Sequence, residues 1–218
     1  MNGGVTDVWS ERAEAYRNAP EQREGADLDL IVEWALEAGV RTALDVATGG
    51  GHVTRRLREA GLEVVSSDPA PGMRPDVICP AEHLPFADRS FDLVVTRIAP
   101  HHFDDIALAV GEMARVAGKL LIVEDTLYVS EDVETAEKLR DATHVCSYSE
   151  HEWRSLLHAA GFGVEAVELV EKRHALDSWL ARTDTSQDDA VRVRELLGDH
   201  IVDGDFVDTK ILLRGRKN

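Results

Sequence analysis

Residues 44–53 read LDVATGGGHV: an apolar run, the acid Asp45, and three consecutive glycines, Gly49 to Gly51. Glycine tolerates positive φ and lets a ligand approach the backbone closely. The segment that follows, VTRRLREAG (53–61), reads as a short helix closed by Gly61. A helix N-terminus aims free N–H groups at whatever the turn holds. A P-loop is excluded, because it needs a lysine after the glycines to neutralise phosphate and GGGHVTRR has none. A dinucleotide fingerprint needs a third glycine three positions after the second. Gly49 and Gly51 supply the first pair, but Thr54 stands at the third place. The carboxylate of Asp45 would also repel a pyrophosphate and suits a cationic ligand.

Outward from this turn, short apolar runs alternate with helical segments. RTALDVA (41–47), EVVSSD (63–68), DVIC (76–79), FDLVVTRI (91–98) and KLLIVED (119–125) read as strands, and DIALAVGEMARV (105–116) as a helix. This alternation predicts an α/β fold, a Rossmann-like doubly wound sheet with helices on both faces. The N-terminal forty residues read as helical. Asp7 or Ser10 is the expected cap of the first helix, and Leu28, Ile31, Val32, Ala35 and Leu36 form the apolar face of the second. In the C-terminal third, DVETAEKLRDATHV, SEHEWRSLLHAAG and QDDAVRVRELLG read as helices, and FGVEAVELVEKRH and DFVDTKILLRGRK as strands. The last strand is expected to run antiparallel, completing seven. One connection is short. Only PAPGMRP separates the strand ending at Asp68 from the one starting near Asp76, where parallel neighbours normally need a crossover of a dozen residues or more. A deleted crossover helix is the expected explanation.

Bulk properties narrow the function. The chain has 218 residues, 44% of them hydrophobic, which suits one domain with a sizeable core. A formal net charge of −17 argues against nucleic acid as a partner. Five lysines against nineteen arginines fit a salt-adapted surface and equally a GC-rich genome. No apolar run approaches the roughly 20 residues of a membrane helix, so no membrane insertion is expected. The N-terminus lacks the pattern of a signal peptide. Cys79 and Cys146 fit no metal spacing, so no metal is expected, and a cytoplasmic location is the simple inference. The sequence does not fix the oligomeric state; a homodimer is one option.

The second strand also ends in an acid, Asp68, where a carboxylate can accept both hydroxyls of a ribose. S-adenosylmethionine combines such a ribose with an ammonium and a sulfonium and has no phosphate. At this point the chain resembles the class I S-adenosylmethionine-dependent methyltransferases, closest to the ubiquinone/menaquinone-biosynthesis type (methyltransferase type 11) that acts on small molecules. LDVATGGG is similar to the family's first motif, acid-x-Gly-x-Gly-x-Gly, with Ala47 at the first glycine. DPAPGM, AEHLPFADRSFDLVVTRIAPHHF, GKLLIVED and LRDATHVCSYSEHEWRSLLHAAGF resemble, in order, the further motifs. The resemblance implies a single domain over 1–218. Residues 1–40 would be an N-terminal helical lid, and about 126–160 and 174–200 substrate-side helical additions.

The resemblance also implies roles. Ala47, Thr48, Gly49 and Gly51 would pass the backbone close to the methionine part of the cofactor, and Asp45 would help hold its ammonium. Asp68 would bind the ribose, Met73 would lie against the adenine, and Ala81 and Glu82 would edge it. Arg97 and Ile98 would line the reaction centre, and Tyr16 or Trp9 would belong to the lid. Three departures stand out. Pro80 replaces an acid that bonds the adenine amino group, the crossover helix after Met73 is missing, and the turn before GKLLIVED is short.

Methyl transfer from a sulfonium needs alignment more than acid catalysis, with a base only where the acceptor must lose a proton. His101 and His102, just past the fourth strand, are the candidate bases. Arg97, in an apolar strand, needs a partner, for which Asp125 or an acidic substrate is the expectation. Arg140, Asp141 and His144 fall at spacings that share a helix face and are candidates for substrate contact. His52 is expected to face solvent, and Trp153 and Leu157 to pack. The rival functions are a degenerate cofactor-binding protein and a nicotinamide-dependent oxidoreductase.

Overall fold

The computed structural model describes residues 3–18 and 20–218. Its centre is β1 (Thr42–Val46), where Ala43 packs into the core on one face of the sheet and Leu44 and Val46 into the core on the other. An apolar run without alternation is what a strand covered on both faces requires. Around it the strands follow the order β3-β2-β1-β4-β5-β8-β6. They are β2 (Glu63–Asp68), β3 (Val77–Ile78), β4 (Phe91–Arg97), β5 (Ala117–Thr126), β6 (Phe162–Ala175) and β8 (Asp205–Lys217). The first five are parallel. β8 lies antiparallel between β5 and β6 and is the one strand on this path running against the others, as the sequence predicts. A two-residue β7 (Ile201–Val202) adds an eighth strand by pairing with β8.

Helices cover both faces. α3 (Ala26–Glu37) and α4 (His52–Glu59) share one core with the sheet; α5 (Ile106–Val116) and α7 (Glu150–Ala159) share the other. Each fully buried Leu, Ile or Phe in these layers contributes about 1.5–3 kcal/mol relative to exposure. A third, smaller core joins α6 (Glu131–Arg140), α8 (Leu176–Ala181) and α9 (Gln187–Leu197) to Phe206 of β8. Trp153 and Leu157 are buried packing residues of α7. Among the described residues no helix is long and apolar enough to cross a membrane.

Several local expectations are corrected. α1 spans Gly3–Asn18, so Asp7 and Ser10 lie inside it and neither caps it. Of the expected 1–40 helical lid, residues 1, 2 and 19 lie outside the described residues. α3 buries Leu28, Ile31, Trp34 and Ala35, while Leu36 is 54% exposed. Trp34 offers more apolar area than Leu36, and the helix turns to bury it. α6 stops at Arg140, because Asp141 leaves the helical conformation and accepts from Thr143 N and Oγ1. Asp141 and His144 therefore sit beyond the helix and do not share a face of it.

The short link after Asp68 is real. β2 and β3 are parallel neighbours joined only by a 3₁₀ turn at Pro71–Met73. The position over this turn is filled by α1. Gly72 N donates to Ser10 Oγ (3.1 Å), Arg17 donates to Gly72 O (2.9 Å), and Ala13, Ala70 and Met73 form a small core with Trp9 and Tyr16. The turn from α5 to β5 is also minimal, with Val116 directly followed by Ala117.

Gly72 sets how closely α1 can dock. A Cβ there would lie 2.5 Å from Ser10 Cα and 2.6 Å from Ser10 O, both on backbone that has little room to shift. Gly72→Ala is expected to lift α1 from the sheet edge. Hydrogen exchange should show protection lost across residues 3–18 and retained in β1 and β4.

Candidate functional site

The glycine turn is built on left-handed backbone. Ala47 (φ 55°), Gly49 (φ 52°) and Gly51 (φ 76°), the three positions of the motif, all lie there. The turn crosses onto the end of β2, with Thr48 N donating to Ser67 O (2.9 Å) and Gly49 N to Asp68 Oδ2 (3.0 Å). Gly51 caps α4 without a side chain. Asp45 does that work from β1: its Oδ2 accepts from Thr54 N (3.0 Å), Thr54 Oγ1 (2.6 Å) and Thr48 Oγ1 (2.5 Å). Thr54, the residue that breaks the dinucleotide fingerprint, thus supplies a hydroxyl and an amide to the acid of β1. Burial pushes the Asp45 carboxyl up to about 6, against the hydrogen bonds from Thr48 and Thr54. Asp45 lines the cavity, and its Oδ1 takes no hydrogen bond among the described residues.

A cavity of about 260 Å³ opens beside this turn, bounded by the C-terminal ends of β1, β2, β4 and β5. Asp68, Met73, Pro80, Ala81 and Glu82 form its β2–β3 side. Each Asp68 oxygen accepts one backbone N–H, Oδ2 from Gly49 and Oδ1 from Ala70 (2.9 Å). A carboxylate has about four acceptor sites, so both oxygens keep capacity for a ligand. Glu82 accepts from Asp104 N and Asp105 N, which anchors the start of α5. Ala47, Thr48 and Gly49 line the cavity; Gly51 faces a separate shallow groove. His52 is buried, not solvent-facing as expected. Its Nε2 lies 3.1 Å from Tyr16 O and ties the glycine helix to α1. Tyr16 lines the cavity, and burial raises its hydroxyl pKa.

Arg97 does not pair with Asp125. Its guanidinium contacts Asp27 Oδ2 (2.5 and 2.8 Å) and Glu124 Oε2 (3.0 Å), with weaker bonds to Gln22. In the β4–β5 register Arg97 faces Glu124, one residue before Asp125, and the strand pleat turns Asp125 to the opposite face. Lys172 of β6 completes the cluster at 2.7 Å from Asp27. Against their burial, Arg97 and Lys172 hold the Asp27 carboxyl well below its usual range, whereas burial raises Glu124 to about 7. Ile98, next along the chain, has φ 52°, a left-handed backbone on a β-branched residue. Such strain costs about 1–3 kcal/mol, and it is fixed by the Ile98 N–H donating to Glu124 O (2.8 Å) in the cavity wall.

Both candidate histidines sit on a 3₁₀ turn, Pro100–His102, and line the cavity. His101 Nδ1 lies 2.5 Å from Asp125 Oδ1. His102 Nδ1 lies 2.9 Å from Thr143 O, a pure acceptor, so the proton sits on Nδ1 and Nε2 keeps its lone pair. Burial, then the neighbouring His101, pushes the His102 pKa down to about 3. Burial and His144 drive His101 well below its usual value. Burial raises Asp125 to about 7, with the Lys210 ammonium pulling against it. His144 stacks on His101 with ring centroids 5.2 Å apart, while its Nε2 contacts Glu134 at 3.2 Å. Arg140 pairs with Glu137 and lies over the Trp179 ring.

The sequence reading missed Asp125 as the partner of His101 and missed the wall formed by Thr126, His174, Asp208 and Lys210. Asp125 was visible as the acid ending a strand. Asp208 and Lys210 carried a weaker signal, as charges at alternate positions just before the apolar run Ile211–Leu213.

A family model described as methyltransferase domain matches residues 44–122, which is β1 through most of β5. The uncharacterized methyltransferase YcgJ of Bacillus subtilis is 30% identical over 204 residues, covering 83% of this chain and 80% of that protein. The demethylmenaquinone methyltransferase of Thermus thermophilus is 35% identical over 122 residues, covering 46% of this chain and 56% of that enzyme. Among solved structures, the YcgJ protein superposes with a TM-score of 0.77 at 25% identity, over 88% of this chain and 97% of that chain. Magnesium protoporphyrin IX methyltransferase from Synechocystis, solved with bound SAH, shares the fold with a TM-score of 0.61 at 15% identity, over 100% and 96% of the two chains.

Ala47 is the one non-glycine at the three left-handed positions of the turn. A left-handed alanine costs about 1–2 kcal/mol, partly offset by the extra freedom a glycine has when unfolded. Ala47→Gly is expected to raise the melting temperature by about 2 °C, as calorimetric scanning would show.

Proposed function

The chain belongs to the methyltransferase family, and on that premise we propose that it binds S-adenosylmethionine beside the glycine turn and directs methyl transfer to a small-molecule acceptor at His101. The observation that carries this reading is one cavity lined at one end by Asp68 and the left-handed turn and at the other by His101. The residues present fit the cofactor. Asp68 retains acceptor capacity on both oxygens for the ribose hydroxyls, and Met73 and Ala81 give the adenine apolar walls. Asp45 places negative charge near the ammonium, and the turn carries no cation for a phosphate. Pro80 supplies neither a carboxylate nor an N–H, so adenine recognition rests on shape and on backbone groups.

When bound, the cofactor would supply an electrophilic methyl on sulfur, open to in-line attack by the acceptor with the C–S bond broken and a neutral thioether as the leaving group. The protein's part is to align and to manage a proton. His101 is the better base of the two histidines. Asp125 holds its Nδ1, so Nε2 is the atom that takes a proton from the acceptor. The imidazolium then formed is stabilised by the Asp125 carboxylate. His102, fixed by Thr143 O and packed edge-on to Trp9, shapes the wall. Trp9 and Tyr16 of α1 line the cavity, which supports reading α1 as its lid.

Titration calorimetry should show S-adenosylmethionine and its demethylated product binding to the wild type. Asp68→Asn, with one acceptor turned into a donor, should bind them about tenfold to a hundredfold more weakly. Product binding without turnover on a broad panel of phenols, amines and carbon acids would instead favour a degenerate cofactor-binding protein.

The pH profile tests the base. His101 is already neutral near pH 7, because its pKa is lowered, so it adds no limb there. Asp125 is raised to about 7, and its ionisation strengthens the base, so kcat should rise with pH through about 7. With labelled cofactor, Asp125→Asn should lose that rising limb and about a hundredfold in kcat.

A further inference from the structure

His101 and His102 stand side by side on the Pro100–His102 turn, and the proton chemistry described above uses only one of them. Their ring centroids are 4.1 Å apart, with the planes inclined at 48°. Both rings line the cavity, and no hydrogen bond from the described residues reaches either Nε2. Neither Nε2 is sealed off, in contrast to Asp125 Oδ2, which is buried without a partner. The wall therefore presents two neighbouring open nitrogens to the cavity.

The tautomer of each ring is fixed by its other nitrogen. His102 Nδ1 lies 2.9 Å from Thr143 O and 3.2 Å from Thr143 Oγ1. That hydroxyl donates its proton to Asp141 Oδ1 at 2.7 Å, so both Thr143 oxygens face the imidazole as acceptors. Nδ1 carries the hydrogen and Nε2 the lone pair. Burial, then the neighbouring His101, pushes the His102 pKa down to about 3, so the ring is neutral near pH 7. His101 is neutral there as well, and ionised Asp125 accepts its Nδ1–H, which leaves the lone pair on Nε2.

Two lone pairs side by side ask for two donors. A carboxylate brings none. A single hydroxyl has one proton and leaves the second nitrogen unmet, and a buried acceptor without a donor costs about 1–3 kcal/mol. An ammonium has enough donors. However, the burial that keeps both imidazoles neutral, aided at His101 by His144 and the Lys210 ammonium, disfavours a further cation. Two neutral hydroxyls close together supply one proton to each nitrogen.

We propose that His101 and His102 together select an acceptor with two neighbouring neutral hydroxyls, as in a vicinal diol or a catechol, one on each Nε2. The pair of acceptor nitrogens is a feature of the wall; that its ligand is the methyl acceptor rests on the methyl-transfer reading. Under that reading the hydroxyl on His101 gives up its proton and is methylated. The one on His102 keeps its proton, because so weak a base does not remove it. His102 is thus a specificity-determining residue and not a second base.

Four probes built on one ring test this: catechol, 2-methoxyphenol, phenol and benzylamine. 2-Methoxyphenol keeps the shape of a disubstituted ring but lacks the second donor. Each is titrated by calorimetry into the full chain at pH 8, where Asp125 is ionised, with and without S-adenosylhomocysteine. Imidazole ¹⁵N NMR of the unmodified protein follows both Nε2 resonances. Catechol should bind at least about tenfold tighter than each of the others and shift both resonances. His102→Phe should reduce the preference for catechol over 2-methoxyphenol to less than about twofold. A merely structural His102 would lower all the affinities together and leave that ratio in place. The proposal is overturned by equal binding of 2-methoxyphenol, phenol or benzylamine, or by an unchanged ratio in the His102 variant. It is equally overturned by catechol shifting fewer than both Nε2 resonances, or by no binding of any probe. If S-adenosylhomocysteine does not bind while catechol keeps its His102-dependent preference, the cofactor reading falls and the diol selection stands. Cofactor binding with no preference for catechol does the reverse.

Discussion

The hydrogen bonds that converge on one oxygen of Asp45 organise the whole C-terminal edge of the sheet. Three donors from two threonines meet on Oδ2 and fix the angle at which α4 leaves β1. A helix start without a capping side chain leaves its N–H groups exposed, and Gly51 provides none. Asp45 supplies the missing acceptor from the strand, and its charge also complements the helix dipole. With the turn held there, Gly49 N reaches Asp68, and the ends of β1 and β2 become one surface. The acid before the glycines is therefore a helix cap that also lines the cavity.

A second set of buried charges joins the layers around that surface. Arg97, Asp27, Glu124 and Lys172 come from β4, α3, β5 and β6, and all are nearly inaccessible. Removing one member would leave its partners uncompensated in a low-dielectric site, which typically costs about 3–5 kcal/mol. The cluster pins the strained Ile98 beneath the cavity and fixes where β4 ends. His101 and His102 follow three and four residues after Ile98, so this network positions the histidine end of the cavity as the Asp45 cap positions the glycine-turn end.

The β2–β3 side follows a different logic. A single 3₁₀ turn replaces the usual crossover, and α1 from the chain's start packs over it through Gly72, Ala70 and Met73. The helix that covers the cavity thus also completes the sheet edge. Trp9 and Tyr16 reach the cavity from the same helix that buries Ala13 against Met73. Cover and scaffold are one element.

By itself the sequence determined the elements and their order. Unbroken apolar runs marked the central parallel strands, because both faces of each must be buried. Gly61 and the glycine-rich turn marked helix boundaries, and the seven residues PAPGMRP between Asp68 and Asp76 required a minimal link. It also placed Asp68, the glycine turn and the two histidines at strand ends, hence on one edge of the sheet. Only the tertiary structure decided how the side chains are partnered. Arg97 took Asp27 and Glu124, residues 70 and 27 positions away. Asp125 was left for His101 because strand pleating separates it from Glu124. His52 turned inward to meet α1, and Asp208, Lys210 and His174 met only because β8 pairs antiparallel with β6. Local patterns report which face of an element is apolar, whereas a buried polar group takes its partner from whatever the packed layers bring within hydrogen-bond distance, and that is a property of the assembled fold.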